Sequence, residues 1–174
     1  MKLPHTFAEN KKHIHAIVET PKGCAAKYNF DEESEMFKLK KILPEGLSFP
    51  FHFGFIPFTK AEDGDPVDVL ILMDEPSWPG CVIECKLLGV IEAEQTEHHT
   101  TTRNDRMIAA AVASRRYKKI SSIFALDSYL VDEIINFLVS YNRLEKKEFK
   151  VIGRQGSQTA INLIKKQMTD GNNT

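Results

Sequence analysis

EDGDPVDVLILM, residues 62–73, is the stretch on which the reading of this chain turns. Its second half, VDVLILM (67–73), is apolar on both faces of an extended segment, the pattern of a central strand rather than an edge. Its first half crowds Asp63, Asp65 and Asp68 into six residues. Pro66 biases Asp65 toward extended backbone, because the residue before a proline avoids the helical region. Asp63 and Asp65 then project to one side, and Asp68 enters the strand beside Val67 and Val69. An aspartate in such a strand is expected to be partly buried, and leaving it unpaired costs on the order of several kcal/mol.

The residues alone admit two readings of this cluster. Asp, Gly and Pro are common turn residues, so one is a solvated acidic turn. The other is a site for a hard divalent cation with oxygen ligands; Mg2+ accepts one or two carboxylates and completes its shell with water or phosphate. A calcium EF-hand fails, because Asp68 stands where that loop requires glycine and the flanks read as strands.

Working outward, HIHAIVET (13–20) alternates, with Ile14, Ala16 and Val18 on one face. AAKYNFD (25–31) and MFKLKKIL (36–43) are strands separated by the polar turn EESE, and FHFGFIPF (51–58) is aromatic at every second position. After EPSWPG comes CVIECKLLGVIEAEQ (81–95), long enough to bend at Gly89, while RMIAAAVAS (106–114) fits a helix as well as a strand. The period then changes. Leu130, Val131, Ile134, Ile135, Leu138, Tyr141 and Leu144 recur at helical spacing behind Asp127 or Ser128 as cap. FKVIG reads as a short closing strand, Ser157 as the cap of a last helix, and residues 168–174 as a frayed tail. Strands first and helices last predict one α+β domain over residues 1–174, the strands curled into a small barrel with flanking C-terminal helices.

Composition narrows the function. The net charge is −1 over 174 residues, so no basic excess supports wholesale binding of nucleic acid or an anionic membrane. FPFHFGF offers aromatic faces, yet no basic groove accompanies them for a single strand to follow. No apolar run approaches the roughly 20 residues of a membrane span. MKLPHTFAENKKH lacks the apolar core of a signal peptide, and a cytoplasmic protein is expected. Cys24, Cys81 and Cys85 show no CxxC spacing and read as reduced core thiols. Two histidine pairs, His98 with His99 and His13 with His15, are candidate ligands for Zn2+ or Mn2+, or else exposed side chains.

DGDPVDVL closely resembles the aspartate–x–aspartate–proline–x–aspartate signature of soluble family I inorganic pyrophosphatases. IVETPKG, AKY, FPFHFGFIP, EPSWPG and SYNRLE fall in the order of that family's landmarks, so the resemblance runs from about residue 13 to about residue 166. It implies an OB-fold-like five-stranded β-barrel and Mg2+-dependent hydrolysis of pyrophosphate to two phosphates by metal-activated water. By the resemblance, Asp63 and Asp68 hold the first metals, Glu19 serves an outer one, and Asp65 both contacts metal and orients or deprotonates the attacking water. Lys27, Lys41, Arg106 and Tyr141 match phosphate-binding positions, and Asn104 matches a metal-ligand position. A cytoplasmic homo-oligomer (hexamer, trimer or dimer) is implied, with no nucleic-acid or membrane partner.

Several positions depart from the family pattern. Asn29 replaces an acidic residue, Lys41 an arginine, Phe49 and Phe53 two tyrosines, and Asn142 a lysine. Phenylalanine has no hydroxyl to donate, and lysine lacks the bidentate fork. In EHHTTTRNDRMI the preferred register sets His99, Asn104 and Arg106 where the family has two aspartates and a lysine; a shift by one brings Asp105 in instead. These departures leave a second expectation open: an impaired homologue that binds pyrophosphate or another phosphoanhydride, or acts on a different phosphate substrate.

Overall fold

The computed structural model describes residues 2–169. Its strands are β1 (Ile14–Thr20), β2 (Ala26–Asp31), β3 (Met36–Ile42), β4 (His52–Phe55), β5 (Asp68–Leu72), β6 (Val82–Glu97), β7 (Thr100–Arg103), β8 (Arg106–Ala111) and β9 (Glu148–Gly156). Two helices, α1 (Ser128–Leu144) and α2 (Ser157–Gln167), complete the described elements, with a 3-10 turn at Ile123–Ala125.

Pairing runs β1–β4–β5–β8–β6 and returns from β6 to β1, so five strands close on themselves. Closure removes the open edges that would otherwise invite pairing with another chain. β5 and β8 are parallel; the other pairs in the ring are antiparallel. This is the five-stranded barrel of the α+β class expected from the sequence. β4 and β1 approach closely because Gly54 has no side chain: a Cβ there would lie 2.0 Å from the Ile17 carbonyl oxygen.

β5 behaves as its sequence demands. Val69 and Ile71 join a cluster with Ile14, Ala16, Val18, Met107 and Ile164, while Leu70 and Leu72 join another with Phe53, Ile134 and Leu138. Both faces are thus buried, each such side chain contributing about 1.5–3 kcal/mol of burial free energy. α1 covers the second cluster and α2 the first.

The structure corrects several boundaries. Only four residues of FHFGFIPF enter the ladder as β4, since Pro57 has no N–H to give and Phe58 turns at φ 53°. The ambiguous alanine segment is strand, pinned between β5 and β6. The closing strand β9 is nine residues long rather than five. Asp127 caps α1, its carboxylate accepting from the Tyr129 N–H, but Ser157 caps nothing: β9 runs straight into α2 and the cap position is Gly156. The expected frayed tail is docked at its start. Met168 bridges Thr59, and the Thr169 N–H donates to the Phe58 carbonyl at 2.9 Å; residues 170–174 lie outside the described part. All three cysteines are free, but only Cys85 is buried; Cys24 and Cys81 are half-buried, not core.

Candidate active site

Local irregularities aim several side chains of the candidate site. The β1–β4 register shifts between Val18 and Thr20, leaving Glu19 as the extra residue of a bulge, a device that re-aims a side chain out of strand alternation. Glu19 is 7% exposed, and its Oε1 accepts from the Phe30 N–H at 2.7 Å. Burial pushes its carboxyl up to about 7, with Asp68 and Asp65 adding to the rise; the Phe30 N–H and Lys27 oppose it.

The aspartates arrive by a turn rather than by strand alternation. The Asp65 N–H donates to Asp63 Oδ1 at 3.2 Å, and Gly64 at φ 93° permits the reversal. Both aspartates are exposed, as the solvated-turn reading had it, and Asp68 at the head of β5 is half-buried. Yet the turn is not isolated from the rest of the site. Glu19, Asp65 and Asp68 line one cleft of about 280 Å³, and the Asp63 carboxyl is raised by local desolvation and then by Asp68 and Asp65.

A second, cationic wall adjoins the acidic cleft. Lys27 and Lys41 are cross-strand partners in the β2–β3 hairpin. The Lys41 Nζ sits 4.2 Å from the Tyr141 ring centroid, and the Lys27 Nζ is 5.4 Å from both the Tyr141 and Phe53 rings. Tyr141 is half-buried against Phe49 and Phe137, so its ring is both packing and platform. Arg106 is 7% exposed and joins the two walls, pairing with the Asp68 carboxylate while also donating to Asn104 Oδ1.

The β6–β7–β8 region places the residues of both candidate registers. β6 and β7 form a hairpin through a stretch that the sequence reading left unassigned. Asn104 and Arg106 share the face toward Asp68, whereas Asp105 points away to accept from Arg103 Nε at 2.6 Å and from the Ala93 N–H. His99 is displaced from its expected place: it sits with His98 on the exposed hairpin turn, at φ 66° and 49°. Gln95 takes up the contact instead, its Oε1 accepting from Asn104 Nδ2 at 2.9 Å.

Sequence reasoning missed two contact residues. Gln95 was hidden because its partnership depends on hairpin pairing nine residues away. Glu145, which pairs with Lys41, had a usable signal: it lies four residues after Tyr141, at the C-cap of α1. Asn142 is buried and donates to the Leu138 carbonyl within α1.

The donor set fits a hard cation. Among the described residues, no three His, Cys, Asp or Glu side chains gather closely enough to hold an ion unaided. Mg2+ does not need such a cage. Asn29 Oδ1 is buried without a hydrogen-bond partner, and Asn29 lines the same cleft as Glu19, Asp65 and Asp68. An orphaned acceptor among carboxylates suits an ion or its bound water. The histidine pairs do not converge: His13 bonds Asn10 and Glu84, His15 bonds the His5 carbonyl, and neither joins the cleft. An all-oxygen set favours Mg2+ or Mn2+ over Zn2+.

Against known proteins, the sequence matches the family described as inorganic pyrophosphatase over residues 16–172. The chain belongs to the inorganic pyrophosphatase family. An inorganic pyrophosphatase of Synechocystis is 34% identical over 87% of this chain and 87% of its own. That of Halalkalibacterium halodurans is 35% identical, over 91% and 94%. The solved inorganic pyrophosphatases of Thermus thermophilus and Helicobacter pylori superpose with TM-scores of 0.85 and 0.86 at 29% and 28% identity. They cover 94% and 96% of this chain, and 93% and 96% of their own lengths. This pyrophosphatase is accordingly a phosphoanhydride hydrolase that converts inorganic pyrophosphate to two phosphates. No helix among its described residues is long and apolar enough to cross a membrane.

Proposed function

We propose that pyrophosphate is hydrolysed across the seam between the two walls, with Glu19, Asp63, Asp65 and Asp68 holding Mg2+ and Lys27, Lys41, Arg106 and Tyr141 holding phosphate oxygens. The observation that carries this reading is the meeting of the walls at one point: Asp68 faces the acidic cleft and is paired with Arg106 of the cationic side. Bound Mg2+ supplies charge neutralisation and a lowered pKa for water.

The chain's own groups do the positioning. Asp65 stands exposed in the cleft, where its carboxylate accepts the proton of the attacking water. The Lys27 and Lys41 ammonium groups and the Tyr141 hydroxyl fix the oxygens of the phosphate that departs. Phosphoryl transfer asks little covalent chemistry of the protein, so this placement of charge is the main contribution. Phe49 and Phe53 provide rings but no hydroxyls, which leaves fewer donors and a lower turnover.

A cytoplasmic homo-oligomer belongs to the same reading. Met36, Ile42 and Trp78 expose 63%, 69% and 71% of their surfaces and are apolar side chains open to a second copy. The test of the activity is colorimetric phosphate release from pyrophosphate with Mg2+ and again with excess chelator. Equal rates in the two conditions would remove the metal from the proposal.

A further inference from the structure

We propose that Arg106 takes the place of one divalent cation: its guanidinium is a built-in counter-charge for Asp68, and the site therefore holds fewer ions than its carboxylates would otherwise gather. This rests on the reading of the acidic cleft as the metal site and adds to it which part of the wall is closed to metal.

Three observations converge. Arg106 is buried, and its Nη1 is engaged by both the Asp68 carboxylate and Asn104 Oδ1. The neutral oxygens that would complete a coordination shell on this side are already in use. Asn104 Oδ1 accepts from Arg106, and Gln95 Oε1 accepts from Asn104 Nδ2 at 2.9 Å. An ion entering between Asp68 and Asn104 must displace the guanidinium and break this chain. Finally, the guanidinium is fixed between aromatic rings, with its central carbon 6.0 Å from the Phe53 centroid and 5.7 Å from that of Phe149. It is not a surface charge that swings aside.

The test uses Mn2+ alone as probe, counted by electron paramagnetic resonance and calorimetry on the full chain without substrate. Wild type is compared with Arg106→Gln, Arg106→Met and Arg106→Lys, with near-ultraviolet circular dichroism reporting the fold. Methionine keeps an apolar stem between the two rings, so it serves if glutamine fails to fold. The glutamine and methionine variants are expected to bind one more Mn2+ per chain than wild type, and the lysine variant to keep the wild-type number. Equal stoichiometry and affinity in wild type and both neutral variants would overturn the inference. A wild type that binds no Mn2+ at all would overturn the metal-site reading beneath it, and the two failures are told apart by that measurement.

Discussion

Lys27 and Lys41 stand directly opposite each other across the β2–β3 hairpin, and both ammonium groups lie over the ring of Tyr141. Like charges in that register repel, by about 0.2–1 kcal/mol. Glu145 and the aromatic face offset part of this, and an anionic phosphate offsets more. The pair therefore trades stability for binding. Lys27→Met and Lys41→Met should each lower kcat/KM by about 10²–10³-fold, an effect of the size seen when a transition-state donor is removed. Thermal melting without substrate should stay level or rise slightly. A variant that loses stability along with activity would instead make that lysine structural.

Asp65 tests the proton acceptor. Asp65→Asn keeps size and polarity but cannot accept the proton, so Mg2+-supported phosphate release should fall by about 10²–10⁴-fold. Because the residue is exposed and its backbone N–H, not its side chain, holds the turn, urea unfolding should hardly change. Equal turnover in the two proteins removes Asp65 from the chemistry.

Glu19 predicts a pH dependence of the metal-free protein. Its carboxyl is raised from 4.5 to about 7, so the folded chain binds this proton more tightly than the unfolded chain. The contribution is complete below about pH 4.5 and is lost as the pH rises through about 7. Its size is up to about 3 kcal/mol from the linkage relation. In chelator, the melting temperature of wild type should fall more steeply over that window than that of Glu19→Gln. Adding Mg2+ at pH 8 should stabilise wild type more than the variant, since the ion favours the charged carboxylate. Parallel melting curves in chelator would contradict the burial argument.

Helix caps offer a paired control. Asp127→Ala removes a side-chain acceptor at the α1 N-terminus and should cost about 1 kcal/mol in denaturant unfolding. Ser157→Ala removes no cap bond and should cost only a few tenths of that, in an otherwise identical measurement.

Gly54→Ala probes barrel closure. The added methyl would meet the Ile17 carbonyl oxygen at 2.0 Å, a backbone atom held in the β1–β4 ladder. Destabilisation above about 4 kcal/mol, or failure to fold, is expected, because relief requires separating two paired strands. A stable Gly54→Ala protein would mean that the two strands are farther apart than described.

Much of the architecture was legible because it follows from local pattern. VDVLILM announced a doubly buried strand, the helical spacing from Leu130 onward announced α1, and the acidic turn led to the cleft. Ser157 was misread because a serine before a helical stretch resembles a cap, whereas capping depends on how the preceding strand β9 delivers the chain. His99 was misplaced because nothing in EHHTTTRNDRMI announces a two-residue hairpin turn through two histidines at positive φ.

What the sequence determined alone was the class of fold and the oxygen chemistry of the aspartate cluster, since hydrophobic period and residue type are properties of a segment. What only the tertiary structure decided was which residues of the β6–β8 region face those aspartates. Side chains alternate along a strand, so a slip of one residue exchanges Asn104 and Arg106 for Asp105. The choice between them rests on the turn at His98 and His99, whose residues carry no hairpin signal, and on the longer-range pairing of β8 with β6.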